Sequence, residues 1–224
     1  MRGQDGDQLT LEDGLRVRLA EIEAPALSGG RGTSRSAPFG PEARAILAAA
    51  ATGWRCRLYY GGLSRDRYGR AIAHVVAEDE AGGRWWLNGA MVRAGAARVR
   101  SWPDNARRVR RLYALEGEAR AAGRGLWALA DYRVRDSGDL AGAQGFVIVE
   151  GPRRSEGETA GGDARALIRQ DGVRLLGLAQ LGDADAPELG RRVRVRGWLG
   201  ERAPDEERAG ASIPLTHWGQ IEPA

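Results

Sequence analysis

The chain has no lysine, one cysteine (Cys56) and two histidines (His74 and His217) in 224 residues. Each scarcity removes a class of chemistry. Without lysine there is no Schiff base and no P-loop lysine. One cysteine makes neither an intrachain disulfide nor a cysteine-based zinc site. The two histidines lie far apart in sequence, which argues against a histidine metal or nucleophile site. His74, in AIAHVVA, reads as strand packing, and His217, in LTHWGQ, as structural. No run approaches about 18 consecutive apolar residues, so no membrane-spanning helix is expected. The opening MRGQDGDQ carries no apolar stretch of the signal-peptide kind.

What remains is rich in arginine. All 34 positive residues are Arg, against 30 acids, for a net charge of +4. The distribution is uneven. Residues 1–136 hold 23 Arg and 16 acids (+7), whereas residues 137–224 hold 11 Arg and 14 acids (−3). A basic first half suits a polyanion, nucleic acid being the commonest, and the alternative is a solvated arginine surface. Apolar residues make up 42%, enough for a packed core, and 33 glycines favour turns and short strands over long helices.

The pattern along the chain divides at a polar, glycine-containing linker. Residues 5–23 read as two strands around a turn at Glu12-Asp13-Gly14. Residues 26–38 (ALSGGRGTSRSAP) are a long loop. FGPEARAILAAAATG reads as a helix, with Pro41 at its first position and Glu42 complementing its dipole. Strands at 54–60 and 70–78 make a hairpin around loop 61–69. A short helix is expected from Asn88 to Gly95. A longer one follows, capped by Asp104 or Asn105, with its apolar stripe from Val109 to Ala119. The expected domains are 1–135 and 146–224, joined by the linker 136–145. The second domain, with GFVIVEG, RRVRVRGWLG and IPLTHWGQIE, reads as small, all-β and barrel-like.

The order DGDQLTLEDGLRVRLAEIEAP, FGPEARAIL, RDRYGRAIAHVV, LNGAMVRAGAARV and EGEARAAGRGLW resembles the thermonuclease (staphylococcal nuclease-like) family over roughly residues 5–130. The C-terminal stretch more weakly resembles an OB-like extension found in some bacterial members. The resemblance implies a mainly β (α+β) fold: a five-stranded OB barrel with three helices, followed by a second small β-barrel-like domain. It implies endonuclease-type cleavage of DNA or RNA phosphodiesters, typically with Ca2+; a monomer is expected. Carried over residue by residue, Arg18 and Arg70 match the two catalytic arginines. Asp7 and Glu23 match the metal carboxylates, Ala24 the ligand that binds through its backbone carbonyl, and Asp5 a nearby acid. Tyr68 and Arg67 fall where the substrate is met. Trp102, beside Arg98 and Arg100, lies near a second nucleotide-contacting aromatic, although the aligned residue is Ser101. Forked guanidiniums suit a phosphate that gains charge during transfer, and a hard cation suits oxygen ligands.

Three departures bear on activity. Ala26 stands where the family carries a water-activating Glu, and loss of a general base typically costs about 10²–10⁴-fold in rate. Glu23 replaces Asp, and Gln8 replaces Thr. Glu21 is a candidate substitute base if strand alternation continues to Glu23; otherwise it is an ordinary surface acid. Only Met1 to Gln4 precede DGD, fewer than a strand of about five residues needs. An upstream start, carrying the missing strand and a signal peptide, would account for this, since family members are often secreted or periplasmic. Two functions follow from different classes: the leading one is a metal-assisted nucleic-acid phosphodiesterase weakened by Ala26, and the alternative is a catalytically inactive OB-fold module that binds nucleic acid or a protein.

Overall fold

The computed structural model describes residues 2–27, 36–140, 142–153, 169–170, 173–176, 191–200 and 211–224. Most of the 26–38 loop, the 201–210 loop and the turns expected at Asp171-Gly172 and Leu189-Gly190 lie outside the described residues. The chain forms two compact units, Met1–Tyr132 and Arg133–Ala224.

The first unit opens with β1 (Arg2–Asp5), β2 (Gln8–Thr10), β3 (Arg16–Leu19) and β4 (Ile22–Glu23). Then come α1 (Gly40–Ala51), β5 (Arg55–Tyr59), β6 (Ala71–Glu78), β7 (Arg84–Trp86), α2 (Leu87–Arg93), β8 (Arg98–Val99) and α3 (Val109–Ala121). The main sheet runs β1-β2-β3-β6-β5, with β7 also on β6, while β4 and β8 form a separate ribbon. Among the described residues of this unit only the β3–β6 pairing is parallel, with Arg18 opposite Ile72. The residues ahead of DGD were too few for an ordinary strand by length alone, yet Arg2–Asp5 is one. Pairing with β2 (Arg2↔Thr10), through an irregularity between Gly3 and Asp5, is what stabilises it. The mixed sheet and three helices give an α+β, mainly β fold.

Alternation decides the core. Leu9, Val17 and Leu19 point inward, as do Ala71, Ala73, Val75 and Ala77 of β6. Helix α1 buries Ala43, Leu47 and Ala51, four residues apart, and has Pro41 in its first turn. Asn88 is fully buried and ties three segments together. Its Oδ1 accepts the Val75 N–H (2.9 Å) and its Nδ2 donates to the Ala20 carbonyl (2.8 Å). That bond holds the chain as it leaves β3 and enters the acidic stretch.

One expectation fails here for a physical reason. Neither Asp104 nor Asn105 caps α3, which begins at Val109. Asn105 instead exchanges backbone hydrogen bonds with Trp102, and its side chain donates to the Leu63 carbonyl. The Arg108 N–H at the helix start goes to both oxygens of the distant Glu21 carboxylate (3.2 and 3.0 Å). An acid from another element thus complements the helix N-terminus.

In the second unit, β9 (Arg135–Asp136) pairs in parallel with β10 (Gly145–Pro152), so the chain is already in a sheet where the linker was expected to start. Strands β13 (Arg192–Leu199) and β15 (Ile221–Pro223) extend this sheet, in the order β15-β13-β10-β9. Strands β11 (Arg169–Gln170), β12 (Val173–Leu176) and β14 (Ala211–Pro214) form a second sheet. The core is Val147, Val149, Val193, Val195, Ile213, Leu215 and Ile221. A buried ion pair joins Arg196 to Glu222 (2.7 Å). Among the described residues, no helix is long and apolar enough to cross a membrane.

Candidate functional site

The turn between β1 and β2 is the centre of the constellation. Gly6 makes it possible: a Cβ there would lie 2.6 Å from the Ala24 Cβ and 2.7 Å from the Ala43 Cβ. With glycine, the turn presses against both, and Asp7 is carried in to 4% exposure. The Asp7 Oδ2 accepts the Ala24 N–H (2.8 Å) and forms an ion pair with Arg18 Nη1 from β3. The next residue, Gln8, accepts from Arg70 Nη1 through its Oε1 (2.7 Å) and donates to Asp5 Oδ2 (2.9 Å). One arginine from β3 and one from the loop just before β6 therefore converge on the consecutive residues Asp7 and Gln8.

Asp66 completes the setting of Arg70. Its Oδ2 takes Arg70 Nε (2.7 Å) and Nη2 (2.6 Å), and its Oδ1 takes the backbone N–H groups of Tyr68 and Arg70. Partial burial pushes the Asp66 carboxyl up, but the Arg70 guanidinium and these N–H donors together outweigh it, and the carboxyl sits below its ordinary value. Asp5 goes the other way. Burial is the largest influence and raises its pKa, with Asp7 adding to the rise against the Leu27 N–H and the charges of Arg18 and Arg70.

Tyr68 projects into solvent, 56% exposed. The guanidiniums of Arg67 and Arg70 lie 4.9 and 5.3 Å from its ring centroid, and Arg67 Nη2 donates to its hydroxyl (2.8 Å). Its carbonyl receives Arg16 Nη2 (2.7 Å). The exposed ring and flanking arginines form a surface on which a base can stack.

Glu23, on β4, is next in sequence to Ala24 and faces Arg100. Arg100 Nη1 lies 2.5 Å from Glu23 Oε1, and its guanidinium carbon sits 4.5 Å from the ring centroid of half-exposed Trp102. The other Glu23 oxygen, Oε2, is buried without a hydrogen-bond partner. Trp102 thus connects to the acidic stretch through Arg100. Ala26 is exposed, and its backbone carbonyl accepts the Ala37 N–H (2.8 Å).

Glu21 does not share a side with Glu23. Its φ of 61° breaks the alternation between β3 and β4. The carboxylate is 2% exposed and pairs with His74 Nε2 (3.0 Å) as well as with the Arg108 N–H. Trp86 Nε1 in turn donates to His74 Nδ1 (3.3 Å).

Two contributors were not singled out from sequence. Asp66 stands four residues before Arg70 in DRYGR, and that spacing was a usable signal. Arg100 gave none for its ion pair, because its partner Glu23 is 77 residues away.

The sequence model of the staphylococcal nuclease homologue (SNase) family matches residues 16–129. The chain belongs to this family. No curated protein matches the chain. The SNase match spans Arg18, Glu23, Asp66 and Arg70 and begins after the Asp5–Asp7 turn. The family's domain is a nucleic-acid-binding and nuclease fold, generally calcium-dependent.

The acids of this SNase domain do not fit that ion as they stand. Carboxylates and a carbonyl are the right donors for a hard cation, which wants about six to eight oxygens. Here, however, Asp7 is neutralised by Arg18 and Glu23 by Arg100, while Asp5 is engaged by Gln8 and the Leu27 N–H. Among the described residues, no three His, Cys, Asp or Glu side chains gather closely enough to hold a metal ion.

Proposed function

We infer that the N-terminal SNase domain binds the phosphodiester backbone of nucleic acid through Arg18 and Arg70, with bases meeting Tyr68 and Trp102. The observation that carries this reading is the convergence of the two guanidiniums on Asp7 and Gln8. Each is part-exposed, with side-chain exposure of 19%. Arg70 bonds within the protein through all three guanidinium nitrogens, and the second N–H of each Nη remains to donate to a phosphate, in bonds that are short and strong. Arg67 and Arg16, bonded to Tyr68, add positive charge beside the path. The basic balance of residues 1–136 supports the same partner.

Binding is favoured over turnover because neither Ala26 nor Glu21, the two positions considered for a general base, offers a free carboxylate. Ala26 has no proton acceptor on its side chain. Glu21 is committed to His74 and to the start of α3. Hydrolysis is the second reading. It is favoured by membership of a nuclease family together with the arginine pair, which would hold the charge of a pentacoordinate phosphorus.

One set of measurements separates the two. Wild type, Arg70→Ala and Ala26→Glu are assayed for cleavage of labelled oligonucleotides, and for binding by fluorescence anisotropy, in Ca2+ and in EDTA. Wild type is expected to bind without cleaving, and Arg70→Ala to bind at least about tenfold more weakly, as loss of a charged hydrogen bond implies. If wild type cleaves and Arg70→Ala does not, hydrolysis is the function. If wild type neither binds nor cleaves, both readings fail.

A further inference from the structure

We propose that Arg100 is a built-in counter-cation for Glu23, standing where a divalent ion would otherwise be recruited, and that nucleic-acid binding by this domain is therefore independent of divalent cations. The binding clause rests on the function proposed above; the cation clause stands by itself.

The placement of Arg100 is set by the backbone. Strands β4 and β8 pair antiparallel, with Ile22 opposite Val99 and Glu23 opposite Arg98. The Arg100 N–H then donates to the Glu21 carbonyl (3.0 Å), which extends the ribbon by one bond. The left-handed turn at Glu21 lies at the entrance to β4, so the same backbone that buries the Glu21 carboxylate presents Glu23 to the end of β8. The guanidinium is held from two directions, by the Glu23 carboxylate and by the Trp102 ring. The side chains of Arg100 and Glu23 are 17% and 19% exposed, so the pair is largely shielded from solvent and weakly screened by salt.

A divalent ion bound by both Glu23 oxygens would have to displace Arg100 from Oε1, and one held on the unpartnered Oε2 alone would face the repulsion of the guanidinium at the other oxygen. Removing one member of such a pair is costly because the other is left uncompensated. Arg18 does the same for Asp7. The negative charges of Asp7 and Glu23 that would attract a cation are thus already matched by arginines of the same chain. The arginines used for this cannot diffuse away on chelation, and phosphate binding at Arg18 and Arg70 then needs no added metal.

The test reads cation binding directly. Ca2+ is titrated calorimetrically, and Tb3+ by indole-sensitised luminescence, into wild type, Arg100→Gln, Arg100→Lys and the double variant Arg100→Gln/Glu23→Gln, each checked for fold by circular dichroism. Wild type and Arg100→Lys are expected to show no binding. Arg100→Gln is expected to gain a site, and adding Glu23→Gln is expected to remove it. Wild type binding Ca2+ as tightly as Arg100→Gln overturns the proposal, as does a folded Arg100→Gln that takes up no ion. If Arg100→Gln does not fold, wild type decides. An oligonucleotide Kd unchanged between Ca2+ and EDTA upholds the proposal, and a Ca2+-dependent Kd overturns it. Should wild type bind no oligonucleotide at all, the proposed function fails, and the Ca2+ and Tb3+ titrations on the variants decide the cation clause.

Discussion

Arg70 shows what a single side chain contributes here. It spends Nε and Nη2 on Asp66 and Nη1 on Gln8, so its plane is fixed before any ligand arrives. A lysine keeps the charge but has no fork to place. Arg70→Lys is therefore expected to bind oligonucleotide nearly as weakly as Arg70→Ala, which anisotropy would show. The carboxylates around it titrate apart. Asp5, pushed up chiefly by burial, should ionise above the ordinary aspartate value, and Asp66, engaged by Arg70, below it; carbon-detected NMR of the side chains reads both. The sign for stability follows from linkage. A depressed folded pKa at Asp66 means its contribution is present above the unfolded value of 3.8 and is lost as pH falls through the folded one. Asp66→Asn should lower Tm at neutral pH, and the difference from wild type should vanish in strong acid.

At the scale of the element, α3 is held at its start by an acid that belongs to no helix. Its N-cap residue, Arg108, makes no side-chain cap, and the Arg108 N–H relies on Glu21. The same carboxylate pairs with His74 on β6. Glu21→Ala leaves the part-buried Arg108 N–H and the buried His74 ring nitrogen without that partner, a cost of about 1–3 kcal/mol for the buried group left unsatisfied and less for the other. The variant should melt several degrees lower, and hydrogen exchange should show α3 opening first. If exchange at the first turn of α3 is unchanged, the capping role is wrong. The acidic stretch from Glu21 to Glu23 therefore divides its work. One carboxylate organises a helix start, and the other faces Arg100 across the β4–β8 ribbon. A single residue with positive φ separates those fates.

For the molecule as a whole, charge governs association. Binding to single strands weakens with salt by a slope of about −0.7 per neutralised phosphate, so two arginines give about −1.4 on a log–log plot. Arg70→Ala should reduce the slope by about 0.7, and a slope unchanged by that substitution would place Arg70 away from the phosphates. Much of the molecule was legible before any coordinates. The hairpin of β5 and β6, the three helices and the arginines of RVRL and DRYGR follow from patterns two to four residues long, which strand and helix periodicity impose locally. Absent lysine and scarce cysteine and histidine excluded whole chemistries by composition alone. Partner choice was not legible. Arg18 with Asp7, Arg70 with Gln8, Arg100 with Glu23 and Glu21 with the start of α3 are each decided by which strands lie side by side. Glu21 marks the limit most sharply. Sequence offered it either a place beside Glu23, if alternation continued, or an exposed one, and one left-handed turn, with the pull of a helix N-terminus and a histidine, carried it into the interior instead. Local pattern determined which residues could do chemistry, whereas tertiary pairing decided which of their charges were already neutralised, because an ion pair depends on distance in space and not on separation along the chain.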